Sequence, residues 1–433
     1  MKVTANNPER KSWLEVEKGS DFPIQNIPFG VFITKDDIIT IGTRIGECAI
    51  DLGAFHQLGY FNGIPLIDDL FMQDSLNDFI ADGRKTWRLV RNRIADVFDE
   101  KNTSLKNNEN HKDIIIFDVN DVEMLLPIDV GDYTDFYSSR EHATNVGSMF
   151  RSKENALMPN WLHVPVGYHG RSSSIVVSGT PIHRPYGQSL PKGESQPVFG
   201  PSKSLDMELE TAFITTAANN LGEPIAVDEA EEYIFGMVLF NDWSARDIQK
   251  WEYAPLGPFL GKNFASTVSP WIVTLDALEP FRCESLKQDP QPLPYLKHDH
   301  SNNSFDITLN AFVETENGDI NLLSSSNFKY LYWSMAQQLA HHTVNGCNVR
   351  AGDMMGSGTI SGPTKESLGS MLELTWAGKE PITLKDGTTR TFFKDGDNVI
   401  LRGYCENKNI RIGFGKCTGK ILPPYKSNAT NNK

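Results

Sequence analysis

From Pro127 onward the chain is a succession of short runs rich in Val, Ile, Thr and aromatic residues, each closed by Gly, Pro or Asn. YIFGMVLFND, SPWIVTL, FDITLNAFVETENG and DNVILRGYC are of this kind, and such runs read as strands. Helical periodicity is sparse among them, chiefly over Asn241–Gln249 and Asn327–His342, so the strand–helix alternation that builds a parallel α/β sheet is missing. A mainly β architecture follows, a rolled or sandwiched sheet.

Ahead of Pro127 the pattern differs. Gly30–Lys35 and Asp37–Gly46 are strand-like, whereas Asp69–Ala81 and Lys85–Val97 carry apolar residues at helical spacing. The polar stretch Lys101–Lys112 reads as a solvated loop, and Ile114–Phe117 as a strand. A chain of 433 residues exceeds what one small core holds, so two domains are expected, over residues 1–127 and 128–433. The last residues, Pro423–Lys433, look like a polar tail.

Charge and cysteine content exclude several classes. With 41 basic and 55 acidic side chains the formal charge is −14, which repels nucleic acid and anionic membrane. The five cysteines are scattered with no CxxC pair, pointing away from disulfide frameworks and zinc ribbons and toward a reducing compartment. The opening MKVTANNPERKSW has neither the apolar core of a secretion signal nor an Arg-rich amphipathic pattern. No run of about eighteen apolar residues offers a membrane span. A cytoplasmic protein is expected.

Chemistry concentrates in a few strings. DYTDFYSSREH (Asp132–His142) alternates Tyr133, Asp135 and Tyr137, which an extended segment projects to one face. Ser138 then offers an N-cap with Glu141 three residues on, placing His142 in a first helical turn, where unpaired N–H groups favour negative charge. Alone, the stretch reads better as a hydroxyl-rich capped turn with an ordinary surface histidine, and only the rest of the chain reverses that.

In MELE, Glu208 and Glu210 leave one face of a strand while Met207 and Leu209 point the other way. Together with Asp135 and one further carboxylate they make an all-oxygen ligand set, suited to Ca²⁺ or Mg²⁺ rather than zinc or copper. The further carboxylate comes from FNDWSARDIQKWEYAPLGPFLGKNF, where Asp242, Arg246, Gln249 and Tyr253 form one polar stripe at helical spacing. Lys262 follows a turn rich in Gly and Pro. Near the C-terminus, GDMMGSGTISGP presents Thr359, and GSMLELTW reads as an extended segment carrying Glu373. A glutamate between Leu372 and Leu374 needs a cation or a histidine, and His142 would serve.

GFGKCTGK is not a phosphate loop, because Phe414 stands where the first glycine belongs and Ile421 replaces the Ser or Thr. His341 and His342 end a helical run and read as packing residues. HExxH and GxSxG are absent, leaving zinc-peptidase and serine-hydrolase chemistry without support.

DYTDFYSSREHATNVGSMFR, NALMPNWLHVPVGYHGRSSS, LDMELE, NDWSARDIQKWEYAPLGPFLGK, GTISGP and GSMLEL resemble, in order, signature segments of the fumarylacetoacetase (fumarylacetoacetate hydrolase) family. The likeness spans about Gly131 to Trp376 and is looser over the first 127 residues. It implies a small SH3-like N-terminal β-barrel ahead of a large mixed β-roll domain, and a cytoplasmic homodimer acting on a small dioxo acid. It further implies hydrolysis of a C–C bond in 4-fumarylacetoacetate at the end of tyrosine and phenylalanine breakdown.

By the same resemblance, calcium would be held by Asp135, Glu208, Glu210 and Asp242, and magnesium by Asp242, the Lys262 backbone and Ser266. The family pattern has threonine at the last position. His142 and Glu373 would activate water. Arg246, Gln249 and Lys262 would face developing negative charge, while Tyr137, Arg151, Tyr168, Gln249, Tyr253 and Thr359 would hold the substrate. Two other readings remain: a hydrolase, decarboxylase or hydratase of related acylpyruvates, and a calcium-dependent binding protein that has lost catalysis.

Overall fold

The computed structural model describes residues 2–151, 153–216 and 219–426, so the end of the expected polar tail, from 427, lies outside the described residues. The N-terminal sheet is a meander of β1 (Phe29–Ile33), β2 (Ile39–Ile45), β3 (Cys48–Asp51), β4 (Ile116–Asp118) and β5 (Glu123–Met124). Its antiparallel order is β4-β3-β2-β1-β5. Phe29, Val31, Ile41, Ile45 and Ile50 are sealed from solvent in the core that also takes in helix α1 (Arg84–Phe98). That helix buries Trp87, Val90, Ile94 and Phe98, one stripe at helical spacing.

Two expectations for this part fail for identifiable reasons. The helix read over Asp69–Ala81 forms only at Asn77–Ala81. Upstream, the Phe71 carbonyl is taken by the Ile41 N–H of β2, so main chain that would feed a helix serves the sheet instead. Conversely, the stretch read as a loop ends in a helix, Glu109–Ile115, because the Asn108 side chain accepts the His111 N–H as an N-cap.

The larger part is two facing sheets. The main sheet joins β6 (Tyr133–Phe136), β7 (Gly167–His169), β8 (Ile175–Val177), β10 (Leu209–Thr215), β11 (Ile234–Asp242), β12 (Ser266–Val268), β13 (Val273–Thr274) and β16 (Met354–Gly356). Its order is β7-β6-β16-β10-β11-β12-β8, with β13 also paired to β11. The β6–β16 and β8–β12 pairs are parallel and the rest antiparallel. The second sheet adds β9 (Ile182–His183), β14 (Thr308–Glu314), β15 (Ile320–Asn327), β17 (Asn398–Glu406) and β18 (Arg411–Leu422), in the order β15-β14-β17-β18-β9. The molecule is therefore mainly β, a curled N-terminal sheet followed by a large rolled sheet domain.

Strands β10 and β11 are buried along their whole length because each has a core on both faces. Leu209, Phe213, Met237 and Leu239 face the second sheet, meeting Leu309, Val313, Leu401 and Phe414. Ala212, Ile214, Val238 and Phe240 face the N-terminal part and share its core. Main chain crosses that seam too: Phe29 and Ile272 exchange N–H···O bonds of 3.0 and 2.7 Å. Asp276 accepts from Arg88 at 2.7 Å and Arg84 at 3.2 Å. A strand covered on both sides loses the polar–apolar alternation, so any carboxylate on it enters a closed interior.

Candidate active site

Strand parity decides where the carboxylates go. Glu208 and Glu210 share the parity of Ala212 and Ile214, Asp242 that of Phe240, and Asp135 that of Tyr133, all on the face toward the N-terminal core. Register brings them together. Asp135 of β6 lies beside Gly356 of β16, which faces Ala212 of β10, while Asp242 ends β11 opposite Ser266 of β12. A Cβ at Gly356 would stand 3.2 Å from the Tyr133 ring and 3.4 Å from Asp135 Oδ1, so the bare backbone there lets the ring pack close. Oxygens of Asp135, Glu208, Glu210 and Asp242 consequently lie within 4.8 Å of one another, all four residues buried.

Two cations reach this cluster. Lys262 Nζ lies 2.6 Å from Glu208 Oε2 and 2.9 Å from Asp242 Oδ2, while Arg246 Nη1 lies 2.8 Å from Glu208 Oε1. Ser266 donates its hydroxyl to Asp242 Oδ1 at 2.7 Å. Burial would raise Glu208, but Lys262 and Arg246 outweigh it and hold that carboxyl well below the usual range. Asp135 and Glu210 go the other way, pushed well up by burial and by neighbouring carboxylates. Burial disfavours the charged Lys262, yet Asp242 and Glu208 keep it firmly protonated.

The cluster fits a hard divalent cation. Asp135 Oδ1 and both Glu210 carboxylate oxygens are buried without a hydrogen-bond partner, a costly state that an oxygen-seeking dication relieves. The donors are all oxygens, with no thiol or imidazole among them. Tyr168 lies opposite Asp135 in the β6–β7 pair.

Beside the cluster stands a second constellation. Helix α2 (Arg140–Phe150) places His142 in its first turn, but its N-cap is Ser139, whose hydroxyl accepts the His142 N–H at 3.3 Å. The expected cap, Ser138, is instead buried as an acceptor for Gln338 at 2.7 Å, so the frame shifts by one and Glu141 closes no capping box. Glu373 lies on a short helix, α4 (Met371–Leu374), not on the extended segment read from the sequence. Ser370 caps that helix, and Asp206 accepts the N–H groups of Met371 and Leu372.

His142 Nδ1 meets Glu373 Oε2 at 2.6 Å, with Ser361 and Ser370 on the same oxygen and Asn145 on Oε1. Burial raises the Glu373 carboxyl, but His142 and these donors outweigh it and hold it below its ordinary value. A carboxylate only accepts, so Nδ1 carries a proton in this contact, and in the neutral ring Nε2 is the nitrogen that presents a lone pair. The Tyr137 ring sits edge-on to this imidazole, with centroids 5.2 Å apart.

The polar stripe from Asp242 to Tyr253 is not one helical face. Asp242 ends β11, and Ser244–Ala245 pair with Leu205–Asp206 before helix α3 (Arg246–Glu252) begins. Gln249 accepts from Arg246 Nη1 at 3.3 Å, and Tyr253, at the end of the helix, is 55% exposed. A Cβ on Gly261 would stand 2.7 Å from the Gln249 Cα, so glycine lets the Lys262 loop close against α3. Thr359 is buried with an unpartnered hydroxyl. Arg151 is exposed at the end of α2, donating to the carbonyls of Asn155 and Ala156. Neither Arg151 nor Tyr253 hydrogen-bonds to the carboxylates among the described residues.

A cavity of about 520 Å³, lined by Arg140, Asn145, Lys365, Glu373 and Trp376 among others, reaches Glu373 but none of the four clustered carboxylates. The reading of candidate residues passed over Asp206, Asn145, Ser361 and Ser370. Each sits inside a string already singled out, but nothing in local spacing shows that they converge on Glu373 and Arg246.

Residues 132–422 match the family model described as fumarylacetoacetate (FAA) hydrolase C-terminal, and residues 25–127 the one described as fumarylacetoacetase N-terminal. The chain is 54% identical over 417 residues to the fumarylacetoacetase of Homo sapiens, covering 95% of this chain and 99% of that protein. It is 52% identical over 422 residues to the fumarylacetoacetase of Dictyostelium discoideum, covering 96% and 99%. Its fold is similar to a solved fumarylacetoacetate hydrolase from psychrophilic Exiguobacterium antarcticum, at 18% identity and a TM-score of 0.51 over 92% of this chain and 99% of that one.

Proposed function

The chain belongs to the fumarylacetoacetase (fumarylacetoacetate hydrolase) family, and we propose that it hydrolyses the C–C bond of 4-fumarylacetoacetate to fumarate and acetoacetate. Full-length likeness above half identity to fumarylacetoacetases supports this substrate. The observation that carries the chemistry is the buried His142–Glu373 pair beside four converging carboxylates.

His142 Nε2 takes a proton from water, whose oxygen attacks the carbonyl carbon next to the scissile bond. Glu373 fixes the ring tautomer through Nδ1 and stabilises the imidazolium that forms. Arg246 Nη2 is buried without a partner, and with Gln249 and Lys262 it supplies donors to the developing oxyanion and enolate. One such donor is worth about 10²–10³ in rate. As the C–C bond breaks, the electron pair leaves on the acetoacetate carbon, and the imidazolium returns its proton there. Tyr137, Arg151, Tyr168, Tyr253 and Thr359 hold the substrate.

A divalent cation held by Asp135, Glu208, Glu210 and Asp242 would supply Lewis-acid polarisation of the dioxo group. Calcium is the reading for that set, with magnesium at Asp242, the Lys262 backbone and Ser266. No helix among the described residues is long and apolar enough to cross a membrane. We place the enzyme in the cytoplasm as a homodimer, at the last step of tyrosine and phenylalanine breakdown.

Loss of the ultraviolet absorbance of fumarylacetoacetate, followed with and without chelator, tests the reading. Turnover that chelator suppresses and calcium or magnesium restores is the expected result. No turnover of this substrate beside turnover of another acylpyruvate overturns the substrate assignment.

A further inference from the structure

Asp206 is fully buried and its two oxygens take four donors. Oδ1 accepts the N–H of Met207 at 2.8 Å and of Met371 at 2.7 Å, while Oδ2 accepts the N–H of Leu372 at 2.9 Å and Arg246 Nε at 2.9 Å. Its own backbone pairs with Ser244, two residues before Arg246. One carboxylate therefore grips the helix that carries Glu373 and the guanidinium that also reaches Glu208.

From this arrangement we propose that Asp206 is a positioning residue for the hydrolysis, locking the Glu373 helix and Arg246 into one rigid unit. The proposal rests on the function assigned above and adds a residue that touches neither substrate nor metal. Capping alone does not account for the arrangement, because a four-residue helix can be capped by a neutral side chain, and Ser370 already does so. What the carboxylate adds is a charge-assisted bond to Nε. With Nε held by Asp206 and Nη1 by Glu208, the guanidinium plane is fixed and Nη2 remains as the donor left to serve the reaction. Small displacements matter here, since a shift of about 1 Å in a reacting group can cost about 10² in rate.

Asp206→Asn keeps the size but turns an N–H₂ toward donors. It is expected to lower kcat by about 10- to 100-fold, more than it changes KM. Asp206→Glu, which keeps the charge, is expected to recover part of that loss. In a Glu373→Gln background Asp206→Asn should cost much less than it does alone, because half of what it positions is already disabled. Multiplicative effects in that cycle, or an unchanged kcat in Asp206→Asn, would falsify the proposal. So would failure of both the Asn and Glu variants to fold, since the carboxylate would then serve the fold alone. An inactive wild type would sink the functional reading instead.

Discussion

His142 Nδ1 lies 2.6 Å from Glu373 Oε2, a contact between residues 231 positions apart whose side chains are 4% and 0% exposed. In that closed setting the carboxylate has four donors around it, so it cannot turn away from the imidazole without leaving polar groups unpaired. The ring is thereby held with one nitrogen bound and the other presented.

Removing the imidazole tests that role directly. His142→Ala is expected to lower kcat by about 10²–10⁴ while calcium binding stays near wild type, because among the described residues the ring hydrogen-bonds to Glu373 and to none of the metal-ligand candidates. Stopped-flow turnover and calorimetry read the two quantities separately. Full activity in this variant removes His142 as the base.

Glu373 makes stability depend on pH in a predictable direction. Its folded carboxyl lies below its ordinary value of 4.5, so its contribution is fully present above that value and fades as pH falls through the lower folded one. Glu373→Gln should therefore lose about 1–3 kcal/mol at pH 7, and the gap to wild type should narrow at acid pH. Denaturant melts at pH 7 and pH 4 measure this, and a gap that widens at acid pH contradicts it.

Glu208 is the carboxylate bound by both Lys262 and Arg246. Glu208→Gln removes a ligand charge and leaves two buried cations short of a partner. Weaker calcium binding is the expected outcome of calorimetry from a chelator-treated sample, with lower thermal stability. Unchanged affinity takes Glu208 out of the metal site.

Asp276 joins the large domain to Arg84 and Arg88 on α1, and its side chain is 10% exposed. Asp276→Ala strands the Arg88 guanidinium and leaves Arg84 with Glu232, and should cost about 1–3 kcal/mol. Turnover well below the melting range should stay close to wild type, because among the described residues Asp276, Arg84 and Arg88 make no hydrogen bond to His142 or Glu373. A stability change of less than about 0.5 kcal/mol, the ordinary size for a surface substitution, counts against a shared core held by this contact.

Long Val-, Ile- and aromatic-rich runs such as β10, β11 and β17 were readable because their strand identity depends on local composition and Gly or Pro punctuation. So was the amphipathic stripe of α1. Shorter elements were misread where a distant partner decides. The Asp69 region lost its helix to the Ile41 N–H, and α4 became helical where Asp206, 165 residues before Met371, takes its first N–H groups. The cap at Ser139 rather than Ser138 turned on which serine Gln338 captures.

For the site, the residue types were local facts: Glu208 and Glu210 two apart on one strand face, His142 in a first turn, a glutamate between leucines needing a partner. Their meeting was not. Register across β6, β16, β10 and β11 sets the four carboxylates within 4.8 Å, and Asp206 ties α4 to Arg246. Side-chain parity and turn chemistry act over a few residues and are written in the chain. Strand register and the sharing of one buried carboxylate arise only when distant segments close a common core and every buried donor must find an acceptor.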